Sequence, residues 1–356
     1  MSQSPQATGT RAGGGIPPGL LLFGRGVLRV IPVIAITIFG LLLVTFVIGR
    51  FMPQDPVLAI VGDRATAEVY QRVYLELGLD QPIWTQFWIY AKKAMVGDFG
   101  ISVLTTKPVI EDVGRYFPAT LELATSGTFI GVLFGVPAGV LAAVYQGRWP
   151  DYVVRFVGLL GYSAPVFWLS LMGLLIFYAN LGWVSGPGRL DVGYQDLVDE
   201  VTKVVIIDAI IAGEWEVAAN AFSHLILPAT VLGYYSMAYI SRMTRSFMVE
   251  QLRSEYITTA RVKGMSEAKV IWRHALGNIA VPLITVIALS YANLLEGSVL
   301  TETVFAWPGL GQYITSSLLN ADMNAVLGGT LVVGVTFIVI NIFCDILYRL
   351  VDPRAK

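Results

Sequence analysis

The stretch Glu255-Tyr256-Ile257-Thr258-Thr259-Ala260-Arg261-Val262-Lys263-Gly264-Met265-Ser266-Glu267 is charged, free of proline, and set between two apolar runs. Residues 247–263 contain neither Gly nor Pro and include several good helix formers, so they predict one helix. Gly264 adopts positive φ at little cost and suits the position just past a helix end. Ser266 suits an N-cap, and Glu267 is favourable in the first turn of a following helix. That second helix runs through Ile271, Trp272 and Leu276 into the next apolar run. The expectation is a helix–glycine–helix element protruding from a membrane. A short rigid helix of this kind can seat in a groove of a partner and pass the partner's movement to two attached spans. An ordinary solvated basic loop accounts for the spacing equally well.

The flanking runs, 225–241 and 279–300, approach the ~20 helical residues needed to cross about 30 Å of hydrocarbon. Four more runs follow the same rule: 28–48, 119–145, 153–180 and 325–349. The 225–241 run is the shortest and carries Pro228 and Gly233. The 119–145 run carries Gly131, Gly135, Gly139 and Pro137, which membrane helices tolerate and which permit close helix approach. Of the 356 residues, 55% are hydrophobic and 14% charged, with a mean hydropathy of +0.66. Soluble domains carry about 25% charged residues, so this chain could not cover a soluble surface. The fold class expected is an all-α polytopic membrane protein with six transmembrane helices.

Residues 1–20, rich in Gly, Pro, Ser and Thr, read as a disordered tail. The 28–48 run is longer than a typical signal-peptide core and no small-x-small site follows it, so it reads as a retained first span. Orientation follows from the loops. The 242–278 loop has Arg242, Arg245, Arg253, Arg261, Lys263, Lys269 and Arg273, and Arg148 lies in the 146–152 loop. The 181–224 segment has only Arg189 and Lys203 against seven acids, and the 301–324 loop has no basic residue. The positive-inside rule then puts both termini in the cytoplasm and the acidic loops outside.

The long loops 50–117 and 181–224 have work to do or structure of their own. Within the first, 66–78 shows helical spacing, with Val69, Val73 and Leu77 on one stripe beside Tyr70 and Tyr74. Within the second, 204–212 is apolar but too short to span, and reads as an interfacial or packed external helix. Cys344 lies in an apolar run and reads as a small core residue. It and the two histidines, His224 and His274, do not make a structural zinc site. Glu122, Glu296 and Asp345 fall near span ends. Each is either a pathway or gate residue, or a helix-end carboxylate reaching headgroup water or an arginine. Trp84, Trp88, Trp183 and Trp307 fit interfacial anchors.

Three segments carry a resemblance. Glu255, Tyr256, Ile257, Thr259, Ala260, Arg261, Lys263 and Gly264 match the Asp/Glu-Tyr-Ile/Val-x-Thr-Ala-Arg-Ala-Lys-Gly pattern of the EAA loop, and Val262 stands where Ala is usual. Arg273-His274-Ala275-Leu276, Asn278 and Pro282 continue the match; Leu276-Gly277 departs from the Leu-Pro of other branches. The second segment group is Leu77-Gly78-Leu79-Asp80-Gln81-Pro82, Gly97-Asp98-Phe99-Gly100 and Pro118-Ala119-Thr120-Leu121-Glu122-Leu123. The third is Glu302-Thr303-Val304-Phe305-Ala306-Trp307-Pro308-Gly309-Leu310-Gly311. Together they resemble the peptide/nickel branch of bacterial binding-protein-dependent ABC importer permeases, over residues 28 to 350.

That resemblance implies a type I ABC importer permease fold and a transport subunit in the bacterial inner membrane, not an enzyme. It divides the chain into a disordered cytoplasmic tail (1–27), a first transmembrane helix with a long external loop (28–116), a five-helix core with the coupling loop at 250–278 (117–350), and a cytoplasmic tail (351–356). It implies a second homologous permease, two cytoplasmic ABC ATPase subunits, an external substrate-binding protein and membrane lipid as partners, with no nucleic acid. Glu255, Tyr256, Thr259, Ala260, Arg261, Lys263, Gly264 and Met265 are the implied ATPase-coupling residues. Glu122, Glu296 and Glu302 stand as possible pathway or gate residues. No Gly-Lys-Ser/Thr occurs in the chain, so it carries no phosphate-binding loop of that kind, and ATP and Mg belong to the partner ATPases. The cargo implied is a peptide or related small solute.

Two rivals stay on the page. An ion-coupled secondary transporter needs charges near the midplane and often inverted repeats, and neither is visible. An intramembrane serine hydrolase would use Gly161-Tyr162-Ser163-Ala164-Pro165 as a nucleophile turn, but Pro165 replaces the final Gly, and His224 belongs to the other side of the membrane.

Overall fold

A computed structural model describes residues 18–51, 56–62, 64–76 and 78–351. Helix α1 (Pro18–Phe51) leads into three short helices, α2 (Pro56–Val61), α3 (Ala67–Glu76) and α4 (Ile83–Met95). Then come α5 (Val109–Val144), α6 (Trp149–Ser163) and α7 (Val166–Gly173), the last prolonged by π-helical turns over Leu174–Asn180. Helix α8 (Val205–Ala212) precedes α9 (Trp215–Leu252), the longest of the chain. The order closes with α10 (Glu255–Val262), α11 (Glu267–Lys269), a π-helical turn over Val270–Ala275, α12 (Leu276–Gly297), α13 (Val299–Val304), α14 (Leu310–Leu319) and α15 (Met323–Val351).

Among the described residues, five segments are long and apolar enough to cross a membrane: Pro32–Arg50, Val109–Val144, Trp215–Leu252, Glu267–Gly297 and Met323–Cys344. Helices α6 and α7 make a sixth span only as a pair bent by 100°. The uninterrupted helix expected over 153–180 is therefore corrected. Pro165 has no N–H to continue the ladder, and its ring drives Ala164 to extended geometry at φ −78°, ψ 131°. Elsewhere proline does not break the helix. Pro118 and Pro137 lie inside α5 and Pro228 inside α9, so the 119–145 span starts ten residues early, at Val109, and the 225–241 run grows to 38 residues.

Three further expectations change. Helix α1 starts at Pro18, ten residues before the run read as the first span; residues 1–17 and 352–356, on which the rest of the two expected tails falls, lie outside the described residues. The single helix expected over 247–263 is two, because Ser254 takes an extended φ −76°, ψ 151° and restarts the helix with Glu255 in its first turn. The 66–78 stripe forms a helix over Ala67–Glu76 that buries none of its residues, with Leu77 outside the described residues. The Tyr70 and Tyr74 rings stack there at 6.2 Å.

Helices α5 and α9 form the spine. A Cβ added at Gly127, Gly131, Gly135 or Gly139 would run into Leu232, Ser236, Ile240 or Thr244 respectively. Both sets advance by four residues in the same direction, so the helices run parallel with their backbones in close approach. Small residues allow this, and in a bilayer such packing replaces the hydrophobic drive. Helix α1 crosses α15 in the opposite sense: Gly49 abuts Leu327 and Gly334 abuts Leu41. The core divides between the two ends of the bundle. Ala119, Leu123, Leu232, Leu294, Phe305 and Trp307 pack at one end. Val140, Met248, Ile257, Val270 and Ile279 pack at the other, beneath the 250–278 loop. The first is called the far end below and the second the loop end.

Candidate functional site

At the loop end α10 lies with its underside in the core. Ile257 and Ala260 are buried in a cluster that also holds Val140 and Ala143 of α5, Met248 of α9, Val270 and Ala275 of the π-helical turn and Ile279 of α12. Gly264 has φ +75°, the left-handed conformation expected of it. Its N–H donates to Arg261 O at 2.9 Å and the Met265 N–H donates to Ala260 O at 3.3 Å, the paired bonds of a Schellman stop. Met265 packs half-buried on the same core. The Arg261 guanidinium donates to both Glu267 oxygens, at 2.9 and 3.2 Å, so the helix after Gly264 is tied to the helix before it. This pair is exposed and contributes under about 1 kcal/mol. It fixes direction more than stability.

The eight residues expected to couple to an ATPase divide by face. Ala260 and Met265 turn inward. Glu255, Tyr256, Thr259, Arg261, Lys263 and Gly264 are exposed, together with Val262, which is 83% exposed. The Tyr256 hydroxyl donates to Gln251 Oε1 at 2.9 Å and the Thr259 hydroxyl to Glu255 O at 3.1 Å. An outward polar-and-valine face on a helix anchored by Ile257 and Ala260 can carry load: a force on the outer face reaches α5, α9 and α12 through packed atoms.

A second tie at this end was not read from sequence. Asp151, buried at the start of α6, accepts from Arg245 Nε at 2.6 Å and Nη2 at 2.8 Å and from the Gly147 N–H at 2.9 Å. Bidentate geometry of this kind is strong. The signal was a lone acid in an otherwise basic loop.

At the far end Glu302 is fully buried. Its Oε1 accepts from the Thr120 hydroxyl at 2.8 Å and the Ser298 hydroxyl at 2.9 Å, and Oε2 accepts from the Gln312 N–H at 3.0 Å. Burial pushes its carboxyl above the usual glutamate range, while the bonds from Thr120, Gln312, Ser298 and Gly311 pull it back. Thr120 Oγ1 in turn accepts the Leu310 N–H at 2.8 Å, and Trp307 Nε1–H donates to Ala119 O at 2.9 Å. Trp307, expected as an interfacial anchor, is thus a core residue, 1% exposed, because its one polar atom finds a carbonyl inside. Trp84, Trp88 and Trp183 are exposed.

Glu122 is buried and ion-paired with Arg189. The same guanidinium lies 5.4 Å from the Trp307 ring centroid and donates to Lys203 O at 3.3 Å. The Lys203 ammonium donates to Gly114 O at 2.9 Å, and the Gly188 N–H to Phe305 O at 2.7 Å. His224 lies 2.9 Å from Gly186 O and 3.3 Å from Asp191 Oδ1. Among the described residues no hydrogen bond joins it to Ser163, as a hydrolase would need. The 181–224 segment is therefore a plate fastened over the far end of α5, and within it α8 packs on the start of α9 through Ala209, Val217 and Ala218. Of the three possible gate residues, Glu122 is held by Arg189 and Glu302 by Thr120, Ser298 and Gln312 in buried contacts. Glu296 alone is exposed, beside a cavity of about 580 Å³ between α12, α14 and α15. The Asp345 side chain lies outside the described residues. Arg189 was the missed partner; its signal was that it is one of two bases in a strongly acidic segment.

The chain matches the family model described as binding-protein-dependent transport system inner membrane component over residues 135–356. A companion model, the N-terminal membrane component of the same system, matches residues 24–124. The probable D,D-dipeptide transport system permease protein DdpB of Escherichia coli (strain K12) is 40% identical over 321 residues, covering 90% of this chain and 94% of its own. The dipeptide transport system permease protein DppB of Alkalihalophilus pseudofirmus is 40% identical over 332 residues, covering 93% and 98%. A solved inward-facing conformation of the MetNI methionine ABC transporter overlaps 67% of this chain and 95% of its own, at 18% identity and a TM-score of 0.48.

Proposed function

Because the chain belongs to the family of binding-protein-dependent transport system inner membrane components, we propose that it forms half of the passage by which dipeptides and related small peptides enter the cell. It is a permease subunit of an ATP-driven importer, an inner-membrane protein, and a transport subunit rather than an enzyme. The family works with an ATPase and a substrate-binding protein. The finer reading is that a second, homologous permease completes the passage, that two ATPase subunits sit against the loop end in the cytoplasm, and that the far end faces the binding protein. ATP and Mg stay on the ATPase chains. The peptide class is supported by the dipeptide permeases that the chain resembles over nearly its whole length.

One observation carries the coupling role. Helix α10 offers a polar outer face and Val262 to a partner while Ile257 and Ala260 belong to a buried cluster that takes in residues of three spans. Movement of an ATPase against Tyr256, Val262 and Lys263 would tilt α10 as a lever, with the Gly264 turn holding it to the start of α12. Glu296, exposed beside its cavity, is the carboxylate left in this reading to meet a peptide's amino group.

The test is reconstitution in proteoliposomes. The full complex with its binding protein should accumulate a radiolabelled dipeptide only when ATP is present. Uphill accumulation by this chain with no nucleotide-hydrolysing companion defeats the proposal, as does a complex whose ATPase responds to a loaded sugar-binding protein and never to a peptide-loaded one.

A further inference from the structure

We propose that the cavity enclosed by the end of α1, α4, the 98–106 loop and the start of α15 binds one anionic phospholipid of the leaflet opposite the coupling loop. The cavity measures about 690 Å³ and the transport reading makes no use of it. Its place is set by two helices. Arg50 closes the Pro32–Arg50 span, at the far end because Gly49 abuts Leu327 near the start of α15. Helix α4 lies along that span: Phe87 makes edge contacts with Phe39 and Phe46 at 5.6 and 5.5 Å, and the Tyr90 hydroxyl donates to Thr45 Oγ1 at 2.9 Å. Trp84 and Trp88 flank Phe87, at 6.5 and 5.5 Å between ring centroids, and are exposed, side chains that favour the boundary between hydrocarbon and headgroups. The cavity therefore opens at the depth where headgroups lie.

Its lining is divided as a lipid is. Phe46, Ile89 and Leu327 supply an apolar wall, and Arg50 and Lys93 supply two cations. The Arg50 guanidinium rests 5.6 Å from the Phe46 ring centroid. Among the described residues neither cation has an ion-pair partner. The one carboxylate among the described residues of the lining, Asp98, accepts from the Gly100 N–H at 3.2 Å. A headgroup phosphate satisfies the surplus positive charge while an acyl chain covers the wall. Inorganic phosphate satisfies only the first, and a zwitterionic lipid neutralises less of it.

The experiment uses the assembled complex with its partner subunits, stripped of lipid in detergent and titrated with phosphatidylglycerol or phosphatidylethanolamine of identical chains, read by native mass spectrometry. Phosphatidylglycerol should be retained on the order of tenfold better, two surface cations being worth about that much. Arg50→Gln with Lys93→Gln should remove the preference, and Arg50→Lys should keep it. A photoactivatable phosphatidylglycerol should label α4 and the end of α1 in the unaltered complex, which needs no variant to fold. Equal retention of the two lipids overturns the assignment. So do unchanged retention in the double variant, displacement by millimolar inorganic phosphate or by a dipeptide, and crosslinks from α4 to the second permease in place of lipid.

Discussion

Thr120 of α5 and Glu302 of α13 share a 2.8 Å hydrogen bond across 182 residues of sequence, and the same hydroxyl receives the Leu310 N–H. The two signature segments that contain them are thus two halves of one knot. The far-end loop cannot leave α5 without stranding a carboxylate, a hydroxyl and two backbone N–H groups at once.

Removing the carboxylate should be costly. Glu302→Ala leaves the Thr120 and Ser298 hydroxyls and the Gln312 N–H without an acceptor, at a cost of roughly 2–4 kcal/mol. Glu302→Gln should cost less than half as much. Its carbonyl can keep the Gln312 N–H, and its amide can donate to the two hydroxyls once they rotate. Thermal unfolding of the purified complex in detergent measures both; equal losses would contradict the hydroxyl rotation.

Arg189 holds the plate to α5 through Glu122. Arg189→Ala or Glu122→Ala alone leaves a buried charge unpaired, worth roughly 3–5 kcal/mol of destabilisation. The double variant should be less damaging than the sum, with a coupling of about 1–3 kcal/mol in a thermal double-mutant cycle. Additive losses would mean that the two charges do not depend on each other.

The α5–α9 spine leaves no room for a side chain at Gly135, whose added Cβ would lie 3.1 Å from Met237 O and 3.2 Å from Ile240 Cβ. Gly135→Leu should cost on the order of 3 kcal/mol through overpacking and lower the yield of assembled complex. Gly277, with open space around its position, is the control: Gly277→Ala should leave the yield unchanged.

Coupling should fail at two points while insertion persists. Gly264→Val strains the left-handed turn at φ +75° by roughly 1–2 kcal/mol. Ala260→Arg puts a charge into the buried cluster that Ala260 shares with residues of α5, α9 and α12. Both variants should retain ATP hydrolysis and lose several-fold in uptake per ATP, scored by parallel ATPase and uptake assays. Full coupling in both would remove α10 from the transmission path.

Much of this was legible in residue order. Apolar runs long enough to span, the basic loop between two of them, and the glycine that stops α10 were all visible, because hydropathy and the φ freedom of glycine are local properties of the chain. The break at Pro165 was legible too, in the residue type, but membrane helices tolerate proline at 118, 137 and 228, so type alone did not say which proline would bend the chain. The Ser254 restart was hidden because a serine within good helix formers breaks a helix only when the residues beyond it, here Ile257 and Ala260, have a core to enter.

The sequence by itself determined a helical membrane protein with a rigid element projecting from one face, since each of those properties is written within about twenty consecutive residues. Tertiary structure alone decided which carboxylates are fastened and which is exposed. Glu122, Glu302 and Asp151 look like Glu296 in residue order. Their partners, Arg189, Thr120 and Arg245, lie 67, 182 and 94 residues away, and a contact over such separations exists only once the spans have packed.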